Sequence, residues 1–124
     1  MSQHIERINN KAYVINSFKG REGWSYLPRL TKYIFPFIGF MFNENKDDSE
    51  IISQLIGLLS DENQKEVEQL LVDLVSNVEV DNMKIDFDKE FAEHYDTFLL
   101  LVIQVIKLNY LESFRRLVTN LPKA

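Results

Sequence analysis

The sequence predicts a mainly α fold with a small β-hairpin element, an α+β arrangement built as a compact helical domain of four to five helices. Three observations carry that expectation. Apolar residues recur at i, i+3, i+4 spacing over Val67–Val78 and again from Phe91 to Asn109, as in helices that bury one face. A weak alternation runs on both sides of Asn9-Asn10, and Asn tolerates the positive φ of a tight turn between strands. With 124 residues, 45% of them hydrophobic, the chain can bury one sizeable core, so residues 1–124 are read as a single domain.

Taken in order, His4 to Phe18 form the hairpin, with Ile5 and Ile8 before the Asn pair and Ala12-Tyr13-Val14-Ile15 after it. Lys19 to Gly23 break the pattern, and Ser25 is placed to cap a first helix with Pro28 inside its tolerant first turn. That helix should turn Trp24, Leu27, Leu30 and Ile34 inward and end or kink at Pro36. After a charged loop, Asp47 and Glu50 stand at capping-box spacing. The helix that follows presents Ile51, Ile52, Leu55, Leu58 and Leu59. Ser60-Asp61-Glu62 restarts the chain with an acidic first turn that suits the helix dipole. Val67, Leu70, Leu71, Leu74, Val75 and Val78 then form the cleanest apolar stripe in the chain.

Val78 to Ile85 read as a small strand pair around Asp81-Asn82, with an irregular connection as the alternative. Asp86-Phe87-Asp88-Lys89-Glu90 opens the last helical stretch, where Phe91, Tyr95, Phe98, Val102, Val105 and Asn109 make one stripe. Leu99, Ile103, Ile106 and Tyr110 make a second beside it. A helix apolar over most of its circumference belongs at the centre of a fold, covered by its neighbours. A final helix is expected through Phe114, Leu117 and Val118 to Leu121.

Charge is distributed unevenly. Residues 1–43 carry six Lys/Arg and two Asp/Glu, residues 44–93 four and fifteen, and residues 94–124 four and two. The basic residues are spread thinly over the two ends, without the concentrated basic face of a nucleic-acid binder. The apolar runs Tyr33–Phe42 and Phe98–Ile106 are well short of the roughly 20 residues that span a bilayer. The polar first residues lack the apolar stretch of a secretory signal. With no Cys in the chain, disulfides, thiolate metal sites and a cysteine nucleophile are ruled out, and the cytoplasm is the expected compartment.

No catalytic, cofactor-binding or metal site is expected. Asp86, Asp88, Glu90, Glu93 and His94 are the densest polar cluster. Carboxylates in a helix's first turn are already explained by its dipole and free amides, and the calcium-loop pattern is absent. The serines sit in no nucleophile elbow. Four Gly, at 20, 23, 39 and 57, allow neither phosphate-binding nor dinucleotide motifs. What stands out is a surplus of aromatic and apolar groups around the first helix: Trp24, Tyr26, Tyr33, Phe35, Phe37, Phe40, Met41 and Phe42. Some part of the set Phe35, Phe37, Phe40, Met41 and Phe42 is expected to meet a partner protein or a second copy, because exposed aromatics and Met are the usual material of binding surfaces.

Several features occur in a familiar order: the strand Ala12-Tyr13-Val14-Ile15, a Gly followed by a Leu-rich helix from Gly23 to Leu30, and an acidic amphipathic middle. Then come Phe87-Asp88-Lys89-Glu90-Phe91, Tyr95, and Asn109-Tyr110-Leu111-Glu112-Ser113-Phe114. In this order the chain resembles the tail assembly chaperones of long-tailed bacteriophages and prophages. The resemblance implies a non-catalytic chaperone in the cytoplasm of a bacterial host. Its client would be the tape measure protein, kept soluble while the tail tube polymerises around it, with the tail tube protein as a further candidate partner. Self-association into a homo-oligomer is expected from the residues instead, from exposed hairpin edges and leftover apolar surface. The alternative from the residues alone is a small helical adaptor or regulatory module that binds another protein through the same aromatic run.

Overall fold

Two Asn residues set the first element. Asn9 and Asn10 take φ of 52° and 67°, the left-handed pair that a type I′ hairpin turn needs. Strands β1 (Gln3–Ile8) and β2 (Lys11–Asn16) pair antiparallel outward from it. The computed structural model describes residues 2–35, 48–60, 62–113 and 116. The same chemistry recurs at Asp81 and Asn82, with φ of 54° and 66°, between β3 (Glu79–Val80) and β4 (Met83–Lys84). The expected strand pair is therefore present, and it does more than the sequence suggested. Tyr13 pairs with Val80 and Val14 with Glu79, joining both hairpins in one antiparallel sheet of order β1-β2-β3-β4. Tyr13, Ile15 and Val80 are buried on the inner face, whereas Ile5 on the other face is exposed.

Helix α1 spans Gly20–Tyr33 and so begins five residues before the expected cap. Ser25 caps nothing; its hydroxyl donates to the Glu22 carbonyl at 2.6 Å. Pro28 consequently lies inside the helix, where its missing N–H leaves the Trp24 carbonyl without a helical donor. Both residues are on the exposed side, where water can serve that carbonyl. Trp24 is not inward, as expected, but 74% exposed. The buried residues Leu30 and Ile34 fix the helix phase, and a residue six positions before Leu30 lies about 120° around the helix from it. Pro36 and Asp47 lie outside the described residues.

Helix α2 (Asp48–Leu58) buries Ile51, Leu55 and Leu58. Ser60 closes it rather than opening the next helix, donating its hydroxyl to the Gly57 carbonyl at 2.8 Å. Helix α3 (Gln64–Leu74) buries Val67, Leu70, Leu71 and Leu74, as the stripe predicts. Val75 and Val78 are also buried, beyond the helix end.

The long helix expected after Asp86 is two helices. Asp86 caps α4 (Phe87–Phe91), its Oδ1 accepting from the Asp88 amide at 3.1 Å and the Lys89 amide at 3.5 Å. The chain then breaks at Ala92-Glu93-His94, with Glu93 at φ 66°. Helix α5 (Tyr95–Ile106) follows. It packs against α2, α3, β1 and β2. Leu101, Val102, Ile103, Val105 and Ile106 are all buried, the central position that its apolar circumference predicts. It continues as a π-helical turn, Lys107–Leu111. Of the final helix expected through Leu121, Phe114, Leu117 and Val118 lie outside the described residues.

Candidate protein-binding surface

Two members of the polar cluster before α5, Asp86 and Glu90, make structural contacts. Asp86 serves the amides of α4, and Glu90 holds α4 to the sheet. Glu90 Oε2 accepts from the Tyr13 hydroxyl at 2.6 Å and from Lys11 Nζ at 2.9 Å. Burial pushes the Glu90 carboxyl upward, but the hydrogen bonds from Tyr13 and Lys11 outweigh it and hold the group below the usual carboxylate range. Burial, reinforced by the Glu90 charge, raises the Tyr13 hydroxyl well above its ordinary value. Neither group is poised to exchange a proton near neutral pH, where a general acid or base is most effective. Among the described residues no three His, Asp or Glu are arranged to hold a metal ion.

The late aromatic pattern makes one cluster. Phe87, Phe91 and Phe98 pack with ring centroids 4.9 to 5.3 Å apart, two of the three contacts edge-on, the arrangement aromatic quadrupoles favour. Asn109 and Tyr110 act at the other end of α5. The Phe18 amide donates to Asn109 Oδ1 at 2.7 Å, and Asn109 Nδ2 donates to the Val105 carbonyl at 2.8 Å. The Tyr110 hydroxyl donates to the Gly23 carbonyl at 2.8 Å. Two adjacent side chains of the π turn thus reach Phe18, in the β2–α1 connection, and Gly23, in the first turn of α1.

Of the aromatic set expected to bind a partner, Phe35 is half-buried, its ring edge-on to Tyr110 at 6.4 Å. Phe37, Phe40, Met41 and Phe42 lie outside the described residues.

A second apolar surface is not legible in the sequence. A groove of about 350 Å³ opens between α3, α4 and the start of α5. Its floor is Leu59, Leu71, Phe87, Phe98 and Leu99; its rim carries Tyr95, Gln64 and Glu68. Tyr95 belongs to the α5 stripe and was expected to pack inward. It is 62% exposed: as the first residue of α5 it stands at the mouth of the groove, whereas Thr97 and Phe98 in the same turn are buried. A smaller exposed apolar area, Ile56 on α2, precedes the groove residue Leu59 by three positions, about one helical turn. No helix among the described residues is long and apolar enough to cross a membrane.

A family model described as phage tail assembly chaperone protein, TAC, matches residues 9–122. Among curated proteins and among solved structures, none matches the chain significantly.

Proposed function

Because the chain belongs to the phage tail assembly chaperone family, we propose that it binds the tape measure protein and keeps it soluble while the tail tube polymerises around it. The protein acts by contact alone, without catalysis, in the host cytoplasm, and the tail tube displaces it as it grows. One observation supports this reading above the others: an apolar groove with an exposed aromatic rim in a chain whose residues 44–93 are strongly acidic. A long helical client presents repeated apolar faces, and helices bind partners by laying such faces into grooves. The acidic charge keeps the loaded complex dispersed. Many weak contacts along one client gain from multivalency, and copies of the chain lie side by side on it.

The sequence set Phe35, Phe37, Phe40, Met41 and Phe42 is carried into this proposal as further contact residues, on composition. Phe37→Ser or Phe40→Ser should weaken client binding or self-association more than folding.

Co-expression with the tape measure protein encoded beside it tests the proposal. The client should partition to the soluble fraction with the chain and to the pellet without it. A client equally insoluble in both cases ends the proposal.

A further inference from the structure

Among the described residues the rim of the groove carries Glu68 and no cation. Beside its lining residues in the chain stand the exposed Asp86 and Asp88, flanking Phe87, and the exposed Asp96, following Tyr95. Against these, Lys65 follows Gln64 and His94 precedes Tyr95. The floor is apolar and the surround is net acidic. An α-helix with its side chains is about 10–12 Å wide, so 350 Å³ admits the projecting side chains of one helical face and leaves the helix backbone outside. There it would lie against the rim carboxylate of Glu68.

From this charge and shape we propose that the groove is the seat of an amphipathic helix that inserts apolar side chains between Phe98, Leu99 and Leu71 and sets Lys or Arg against Glu68. Tyr95 is the anchor. It stands at the edge of the groove, amphipathic and exposed, the kind of residue that dominates binding energy when a partner desolvates it. This inference rests on the chaperone reading for the identity of the client, but not for the chemistry of the seat. That chemistry also distinguishes the groove from the Phe35–Phe42 run, whose adjoining residues carry no comparable charge up to Asn43.

The test uses the full chain and two labelled synthetic peptides of about five helical turns, both with Leu along one face, one flanked by Lys and the other by Glu. Fluorescence anisotropy should show the Lys peptide binding and the Glu peptide binding at least about tenfold more weakly, as complementary charge selects partners. Glu68→Lys should invert that order. Tyr95→Ser should weaken the Lys peptide by about tenfold, the loss expected of an aromatic anchor, with an unchanged melting curve. Absence of Lys-peptide binding, or equal binding by wild type and both variants, overturns the inference. So does a finding by sedimentation that the wild-type chain self-associates and Tyr95→Ser abolishes it, since the occupant would then be a second copy. In co-expression, a Tyr95→Ser/Glu68→Lys chain that still solubilises the client removes the groove and leaves the chaperone reading standing. A wild-type chain that fails there removes the chaperone reading, and the peptide result alone then decides the groove.

Discussion

Replacing Asn109 by Ala probes the joint between the sheet and the central helix. Its side chain accepts from the Phe18 amide at 2.7 Å, and Phe18 is buried. Removing the acceptor leaves that N–H without a partner, at a cost of about 1–3 kcal/mol for a buried donor. The second bond, to the Val105 carbonyl, is lost as well, so about 2 kcal/mol is a fair central value. Unfolding entropy is about 2.1 cal/mol/K per residue, which for 124 residues converts this into a fall in Tm of about 8 °C. Thermal melting by circular dichroism reads it, and amide hydrogen exchange at Phe18 reads its cause. Asn109→Asp keeps the acceptor and loses the donor, so it should melt between the two. If Asn109→Ala melts within about 2 °C of wild type and Phe18 exchanges at the wild-type rate, the joint is not held by this side chain.

The Glu90 carboxyl, held below its ordinary 4.5, stabilises the fold above that pH and loses the contribution as pH falls through its lowered folded value. The Tm difference between wild type and Glu90→Gln should therefore be constant near neutrality and close below about pH 4.5; a gap that does not change with pH would refute the ion pair's role. Glu93 holds a left-handed φ of 66° without the glycine such a position favours. Glu93→Gly should raise Tm by about 4 °C, from about 1 kcal/mol of relieved strain, and a lowered Tm in the melt would show that the side chain matters more than the backbone.

Local chemistry made part of this fold readable. Asn9-Asn10 and Asp81-Asn82 announce their turns because few other residues accept positive φ at both positions. The α3 stripe and the covered circumference of α5 follow from helical period alone. The start of α1 was missed because Lys19 begins the helix without a side-chain cap, while Ser25 offers a cap it does not make. The break before α5 was missed because the apolar spacing from Phe91 to Tyr95 and Phe98 runs through it in helical phase, and Glu93 carries none of the turn residues' marks. The groove depends on that break. Its lining comes from three stretches of chain, Leu59–Leu71, Phe87 and Tyr95–Leu99, each of which reads as core when taken alone. The acidic residues around Asp86 were legible as helix caps, but Glu90's hold on Tyr13 and Lys11 was not, since it joins residues 77 and 79 positions apart.

The seam between β2 and β3 has a consequence for how the chain is made. Asn16 and Glu79, 63 positions apart, share a hydrogen bond across it. The first hairpin can close within about 1–10 μs of leaving the ribosome, but a lone two-stranded hairpin is marginally stable. At about 5–20 residues per second, its neighbouring strand is synthesised about 3–13 s later. Throughout that interval Tyr13 and Ile15 face water. The newborn chain therefore displays, for several seconds, the same kind of apolar surface that it is proposed to cover on its client.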